Sequence, residues 1–527
     1  MRDVLASNLL PPPPPPRRLR PLAAGAGRDR PMGPAKSGYS PSPAKVEPGY
    51  MQLEMSELES DAGDAGSLLS EGEGAVRGDE GRKRMVWHDG IGSRHGRICE
   101  RIVLVLVGFA LALGTFALSR HGQNGAEWVK KLVGLDRDEV PPRIRPLQSP
   151  LPLDSFRANL KPGYGYVTSF QYGGLTNQLM ELFKLVHVAQ RLNRVAVLPD
   201  LRAAHHEDGF ASYSSFFNLD AFSHYTNVSL AEWSDLKIAD SLNTSEPEVL
   251  ACWGWQDRHA LDRYNVRAWF WPYPGQLIVS SAVDKSITFP GIEVLASQDN
   301  SAWLNETAAR IFGSIEKSPA PFPDQQLLCF EHLFYVPSVK FVEGQLDTSY
   351  TIEELRPDGP VWSKVGQHLH FNERVHDVAD ELVASLLGSP STPFIAVHLR
   401  QGDFLDLGRT ISAVDQLAPK YSAGVSLVRN ELEAQGYGRG ARDLPVLLAT
   451  DSDDEKFIAQ LEGLGWIYVN HTRFGTAERY GGWWVGVLDS VVLSRATGFV
   501  GTRQSTFSYV AARRVETWNG GVTTVVG

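Results

Sequence analysis

Apolar positions along this chain fall into two patterns. Short continuous runs, such as Val195–Leu198, Phe394–Val397 and Pro445–Ala449, suit strands buried on both faces. They alternate with longer stretches in which apolar residues recur at helical spacing. Tyr166–Phe170 reads as a strand that runs into the turn signal Gly173-Gly174. Leu179, Leu182, Phe183, Val186 and Ala189 then predict a helix with Gln178, Glu181 and Lys184 on its other faces. Asn193 is placed to cap it, and Val195–Leu198, closed by Pro199, is a second strand. Such a β-α-β unit requires a helical crossover between parallel strands.

The alternation returns in the second half. A helix over 362–387 presents Val375, Ala379, Leu382, Val383 and Leu386 on one face, and the stretch PFIAVHLRQGDF (393–404) opens as a strand. Pro445–Ala449 and Trp466–Val469 predict strands around a helix at Asp453–Glu462. Trp484–Ser494, Gly498–Gly501 and Ser505–Glu516 predict a closing helix, strand and helix. Strands alternating with helices argue for an α/β fold, and two such halves predict two Rossmann-like domains, 161–340 and 360–527. Residues 200–310 are irregular and aromatic-rich and yield no elements. The strand-like Leu327–Phe330 lies in a Pro-bracketed passage between the halves.

Composition changes the picture upstream. Residues 1–97 hold Pro11 to Pro16 unbroken and few aromatics, the signature of a disordered tail. Ile102–Ser119 carries no charge and, at roughly 27 Å as a helix, is long enough to cross a thin bilayer. Arg82, Lys83, Arg84, Arg94, Arg97 and Arg101 precede it; Arg120, Lys130, Lys131 and Arg137 follow. That bias places the tail in the cytoplasm and predicts a single-pass type II protein of the endoplasmic reticulum or Golgi. Residues 120–160, punctuated by five prolines from Pro141 to Pro152, read as a stem. Asn-x-Ser/Thr sequons begin at Asn227, Asn243, Asn305 and Asn470, all on the luminal side of this topology. Cys252 and Cys329 are the two luminal cysteines and either pair or stay free; Cys99 sits at the cytoplasmic edge of the span. A net charge of −10 excludes nucleic acid as a partner.

Three loops are placed to carry chemistry. YGGLTNQ (172–178) lies between a strand and a helix N-terminus, where glycines admit a ligand and free N–H groups meet an anion; an ordinary turn has the same appearance. In the second loop, His398 and Arg400 share one face at the carboxyl end of a parallel strand, where α/β sheets gather ligands, and arginine offers a planar fork to phosphate. In the third, GTRQSTFSYVAARR (501–514), Ser505 and Thr506 serve either as helix caps or as a phosphate cradle.

The segments G-G-L-T-N-Q, F-I-A-V-H-L-R-Q-G-D-F and F-V-G-T-R-Q-S-T-F-S, in this order, resemble the GDP-fucose protein O-fucosyltransferase family, and its fungal membrane-anchored members most. The resemblance covers about 163–520. It implies a GT-B fold, two Rossmann-like domains facing a cleft, and an inverting transfer of L-fucose from GDP-fucose without a metal or other cofactor. By match it places Gly173, Gly174 and Asn177 in the loop facing donor and acceptor, and His398 and Arg400 on the pyrophosphate with Arg400 catalytic. Ser505, Thr506 and Phe507 would bind phosphate and sugar. The acceptor is a luminal protein's Ser/Thr hydroxyl or, alternatively, a glycan hydroxyl; a silent GDP-binding relative is the non-enzymatic alternative. The aspartate that relatives place before the last strand for guanine corresponds here to Thr497.

Asp403 and Glu181 are the carboxylates considered for a general base, although a turn role for Asp403 and a solvent-facing position for Glu181 compete with that. Asp451 and Asp453, in TDSDDE (450–455), form the Asp-x-Asp that metal-using transferases employ. With Ser452 and Asp453 opening a helix, acidic residues are expected there on dipole grounds alone.

Overall fold

The computed structural model describes residues 141–203, 209–239, 246–254, 260–278, 287–318, 321–336, 355–402, 404 and 414–527. The tail, the 102–119 segment, Cys99, Asn243 and Asp403 lie outside them. Among the described residues no helix is long and apolar enough to cross a membrane.

The first half is built on strands β1 (Tyr166–Thr168), β2 (Val195–Leu198), β3 (Leu230–Glu232), β4 (Glu248–Trp253), β5 (Val266–Trp271) and β6 (Leu327–Cys329). Four of them form a parallel sheet in the order β3-β2-β1-β6, and a bridge between Trp253 and Phe330 joins the β4-β5 pair beyond β6. The predicted crossover is helix α1 (Leu175–Leu192), ended by Asn193 in the left-handed conformation (φ 50°). The irregular region therefore supplies β3, β4 and β5 besides three two-residue strands, and Leu327–Cys329 is a strand of the sheet beside β1 and no mere passage.

In the second half, helix α2 (Glu373–Leu387) leads to β7 (Ile395–Leu399), followed by α3 (Val414–Leu432), β8 (Val446–Thr450), α4 (Glu455–Glu462), β9 (Ile467–Tyr468), α5 (Trp483–Ser494), β10 (Gly498–Thr502), α6 (Thr506–Asn519) and β11 (Val522–Val526). The expected helix over 362–387 is two pieces: Pro360–Lys364, then a break, because the Asn372 side chain accepts the Val375 N–H (3.0 Å) and starts α2 afresh. The five strands are all parallel in the order β9-β8-β7-β10-β11. Strand order reverses between β7 and β10, the crevice where open α/β sheets take ligands.

Strand alternation fixes which side chains face the other half. Val167, Ala196 and Leu198 of the first sheet and Ala396, Leu447 and Phe499 of the second enter one continuous core that spans both halves. Ile395, Val397, Leu399 and Leu448 face an outer core packed against α3 and α4. Tyr166, Val195, Val197, Cys252 and Cys329 face another. By the same period of two, His398 and Arg400 follow Ala396 toward the shared side.

Residues 141–160 do not behave as the expected stem. Phe156 and Leu160 enter the outer core, Arg143 pairs with Glu232 (3.3 Å) and Asp235 (3.4 Å), and Arg145 pairs with Asp235 (2.7 Å). Cys252 and Cys329 pair, with Cα atoms 4.4 Å apart on neighbouring strands. This bond closes a loop of 77 residues. On chain-entropy grounds such a crosslink stabilises by about 4 kcal/mol. Replacing both cysteines by serine is expected to lower the urea midpoint accordingly and to make the protein indifferent to reductant.

Candidate active site

The carboxyl ends of β7 and β10 are bound together by one hydroxyl. Thr502 Oγ1 donates to the His398 carbonyl (3.0 Å) and accepts from the Arg400 N–H (2.9 Å) and the Tyr421 hydroxyl (2.8 Å). A threonine hydroxyl has one proton and two lone pairs, so this one is fully used. It sets the chain direction just where β7 ends and its functional side chains begin.

Those side chains are fixed in turn. Arg400 Nη1 lies 2.9 Å from Asp451 Oδ2, and Asp451 Oδ1 accepts the Gln401 N–H (2.7 Å), so both oxygens of Asp451 at the end of β8 hold the loop after β7. A Cβ at Gly402 would strike Asp451, which explains glycine there. The Arg400 side chain keeps 22% of its exposure. His398 is buried, its ring stacked 4.9 Å from Phe507 and its Nδ1 2.7 Å from Ser508 Oγ. Burial, reinforced by the Arg400 charge, holds its pKa at about 3, so the imidazole is neutral at physiological pH. Ser508 Oγ also accepts the Thr502 N–H (2.9 Å), so one hydroxyl ties the end of β10 to the His398 ring.

Gln504, at φ 63°, swings the chain from β10 into α6. Ser505 is a true N-cap, its hydroxyl accepting the Ser508 N–H at 3.4 Å. The N–H groups of Thr506 and Phe507 in the first turn have no intrahelical partner, and with the helix dipole they favour an anion. Thr506 Oγ1 donates to Asn177 Oδ1 (2.7 Å) and accepts from the Thr176 hydroxyl (3.0 Å), a direct contact between the halves. Asn177 stands over a tight turn. Gly173 has φ 64°, and a Cβ there would lie 2.5 Å from the Asn177 amide nitrogen. Gln178 locks this loop by donating to the carbonyls of Gly173 and Arg202 (both 2.8 Å).

A profile of the family described as GDP-fucose protein O-fucosyltransferase matches residues 166–517, well over half of the chain. The chain belongs to the GDP-fucose protein O-fucosyltransferase family. It is a glycosyltransferase of that type, a fucosyltransferase that uses GDP-fucose. Among solved structures it is similar to POFUT1 in complex with GDP-fucose, at 17% identity over 70% of this chain and 98% of that one, with a TM-score of 0.43. It is also similar to the α-1,6-fucosyltransferase NodZ soaked with GDP-fucose, at 15% identity, 67% and 93% coverage and a TM-score of 0.31. NodZ from Bradyrhizobium stands at 15% identity, with 66% of this chain and 92% of that one covered and a TM-score of 0.32. A comparison with curated protein sequences finds no match.

Of the residues picked out by likeness to the fucosyltransferase family, the structure brings His398, Arg400, Ser505, Thr506, Phe507 and Asn177 together, with Gly173 and Gly174 shaping the loop beneath Asn177. Thr497 is elsewhere. Its N–H donates to the Phe394 carbonyl (2.9 Å), at the amino end of β10 and opposite the cleft, so it is no substitute for a base-contacting aspartate there. Asp453 does not open α4; Asp454 caps it instead, accepting the Lys456 N–H (2.9 Å). Glu181 does not face solvent. It is fully buried on α1, where one oxygen accepts the Leu333 N–H, while neighbouring Lys184 donates to the carbonyls of Phe334 (2.5 Å) and Val336 (3.0 Å). Sequence reasoning missed Thr502, Ser508 and Tyr421. Thr502 and Ser508 lie inside the quoted G-T-R-Q-S-T-F-S, but their roles depend on partners more than a hundred residues away.

Two outcomes follow from this geometry. Thr502→Val removes one hydroxyl and leaves the Arg400 N–H, the His398 carbonyl and the Tyr421 hydroxyl short of a partner. It should destabilise by about 3 kcal/mol and sharply reduce GDP release, with Thr502→Ser restoring both, as thermal unfolding and nucleotide assays will read. Burial raises the Glu181 pKa to about 7, above the usual carboxylate range. The folded state therefore holds its proton more tightly than the unfolded chain, and that stabilisation, complete at low pH, is lost as pH rises through about 7. The stability of the parent relative to Glu181→Gln should fall over this window; equal pH profiles would refute the assignment.

Proposed function

We propose that this chain transfers L-fucose from GDP-fucose to a serine or threonine hydroxyl of a luminal protein, with inversion and without a metal. The observation that carries the reading is the placement of Arg400 at the reversal of strand order, its guanidinium paired with Asp451 and its backbone N–H held by Thr502. In this reaction the acceptor oxygen forms a bond to the anomeric carbon and gives up its proton to the departing diphosphate or to water, while the bond to the diphosphate breaks and GDP leaves with the electron pair. The charge that develops on the leaving phosphate is met by Arg400, by the neutral imidazole of His398 and by the first-turn N–H groups of α6. Because these groups are fixed beforehand, they need no reorganisation as the charge forms. Asn177, hydrogen-bonded to Thr506, lines the acceptor side.

Both Asp451 oxygens are engaged by Arg400 and Gln401, which supports charge stabilisation by arginine rather than by an ion on Asp-x-Asp. Burial of Glu181 in the core leaves it unsuited to taking the acceptor proton. A type II topology with 102–119 in the membrane of the endoplasmic reticulum or Golgi is supported by the Cys252–Cys329 pair, which suits an oxidising compartment, and by the exposed sequon position Asn305.

The full chain in detergent should release GDP from GDP-fucose in the presence of EDTA, and not from GDP-mannose or UDP-sugars. Arg400→Ala should lower that rate by about a hundredfold to a thousandfold. Unchanged turnover in the variant would remove Arg400 from the mechanism.

A further inference from the structure

A second site lies at the other end of α1. Where Gly165 precedes β1, Val195 begins β2 and Ser229 precedes β3, the amino-terminal edge of the first sheet opens into a groove of about 840 Å³, walled by the last turns of α1. Asn177 is in the first turn of α1 and His187 and Arg191 are in its last turns, so groove and donor cleft are about 15 to 20 Å apart along one helix.

The lining has a consistent chemistry. In a chain with 61 acidic residues, no Asp or Glu lines this groove, among the described residues, while Arg191, Arg194 and Lys364 do. Arg194 is committed to backbone, its Nη1 donating to the Gln325 carbonyl (2.7 Å), and Arg191 shares its Nε with Glu293 (2.6 Å) at the rim. Lys364 projects from the end of its short helix. His187 is 3% exposed, with both ring nitrogens closed off from solvent behind the groove wall and the Gln190 side chain beside it. Its edge contact with Phe289 (5.2 Å between centroids) packs the ring. Burial lowers its pKa to about 4, so at neutral pH it adds no charge to the lining. Beside it Tyr225, 53% exposed, lies on the His368 ring (5.7 Å, 22°), a flat face next to the Asn227 amide.

An aromatic platform beside a lining that carries cations and no acid suits a ligand with apolar ring faces and negative charge together. We infer that this groove binds an anionic oligosaccharide, one bearing sulfate, carboxylate or phosphate, as a saccharide site separate from the donor cleft.

Calorimetry on the full chain in detergent, with a heparin-derived tetrasaccharide as probe, tests this. Binding should weaken about tenfold or more in Tyr225→Ala and in Lys364→Ala, and also for the desulfated tetrasaccharide. GDP release by both variants should match the parent, which keeps this test independent of the reading of the cleft. The inference falls if the tetrasaccharide does not bind or if neither variant weakens it. Competition by inorganic sulfate at the concentration of the tetrasaccharide would show a simple anion site and would equally overturn it.

Discussion

The active cleft depends on a single saturated hydroxyl. Strands β7 and β10 diverge at their carboxyl ends because strand order reverses there, and a diverging pair has no ladder to hold its last residues. Thr502 replaces the missing ladder, with its one proton and both lone pairs taken up by His398, Arg400 and Tyr421. Ser508 repeats the device one helical turn further on, joining the Thr502 N–H to the His398 ring. The consequence is a guanidinium and a neutral imidazole whose positions are set by backbone and hydroxyl geometry before any ligand arrives.

Helix α1 ties this cleft to the rest of the molecule. Its first turn meets α6 through Thr176, Asn177 and Thr506, and its middle carries Glu181 and Lys184 into the segment after β6. Its final turns wall the groove at the opposite edge of the sheet. Two charged side chains in the middle of a helix buried on every face are costly unless hydrogen-bonded, and here backbone groups of Leu333, Phe334 and Val336 supply the partners. The continuous core between the halves makes α1 an internal strut and not a surface helix.

The apolar pattern made much of this readable. Continuous runs gave β2, β7, β8 and β10 to within a residue or so, and the period of two placed His398 and Arg400 on one face. Three kinds of signal failed. Pro419 interrupts α3, so that helix has no clean stripe. Glu181 and Lys184 carry charge on a face that tertiary packing buries, so polarity pointed outward where the fold points inward. Strands β3 to β5 are short or rich in aromatics and owe their existence to neighbours in the sheet. In the site, motif likeness picked out His398, Arg400, Asn177 and Ser505 to Phe507, which the fold brings together, whereas Thr502 and Tyr421 stand 81 residues apart and could be joined only by the fold.

The disulfide has one further meaning. Cys252 lies near the end of β4 and Cys329 ends β6, so the chain between them, which carries β5 and the helices Phe289–Ser297 and Ser301–Phe312, is a covalently closed loop. A protease that cut the backbone anywhere in that loop would not divide the molecule. Both pieces would stay covalently joined at the end of β6, and a nicked chain would run as one species until its cystine was reduced.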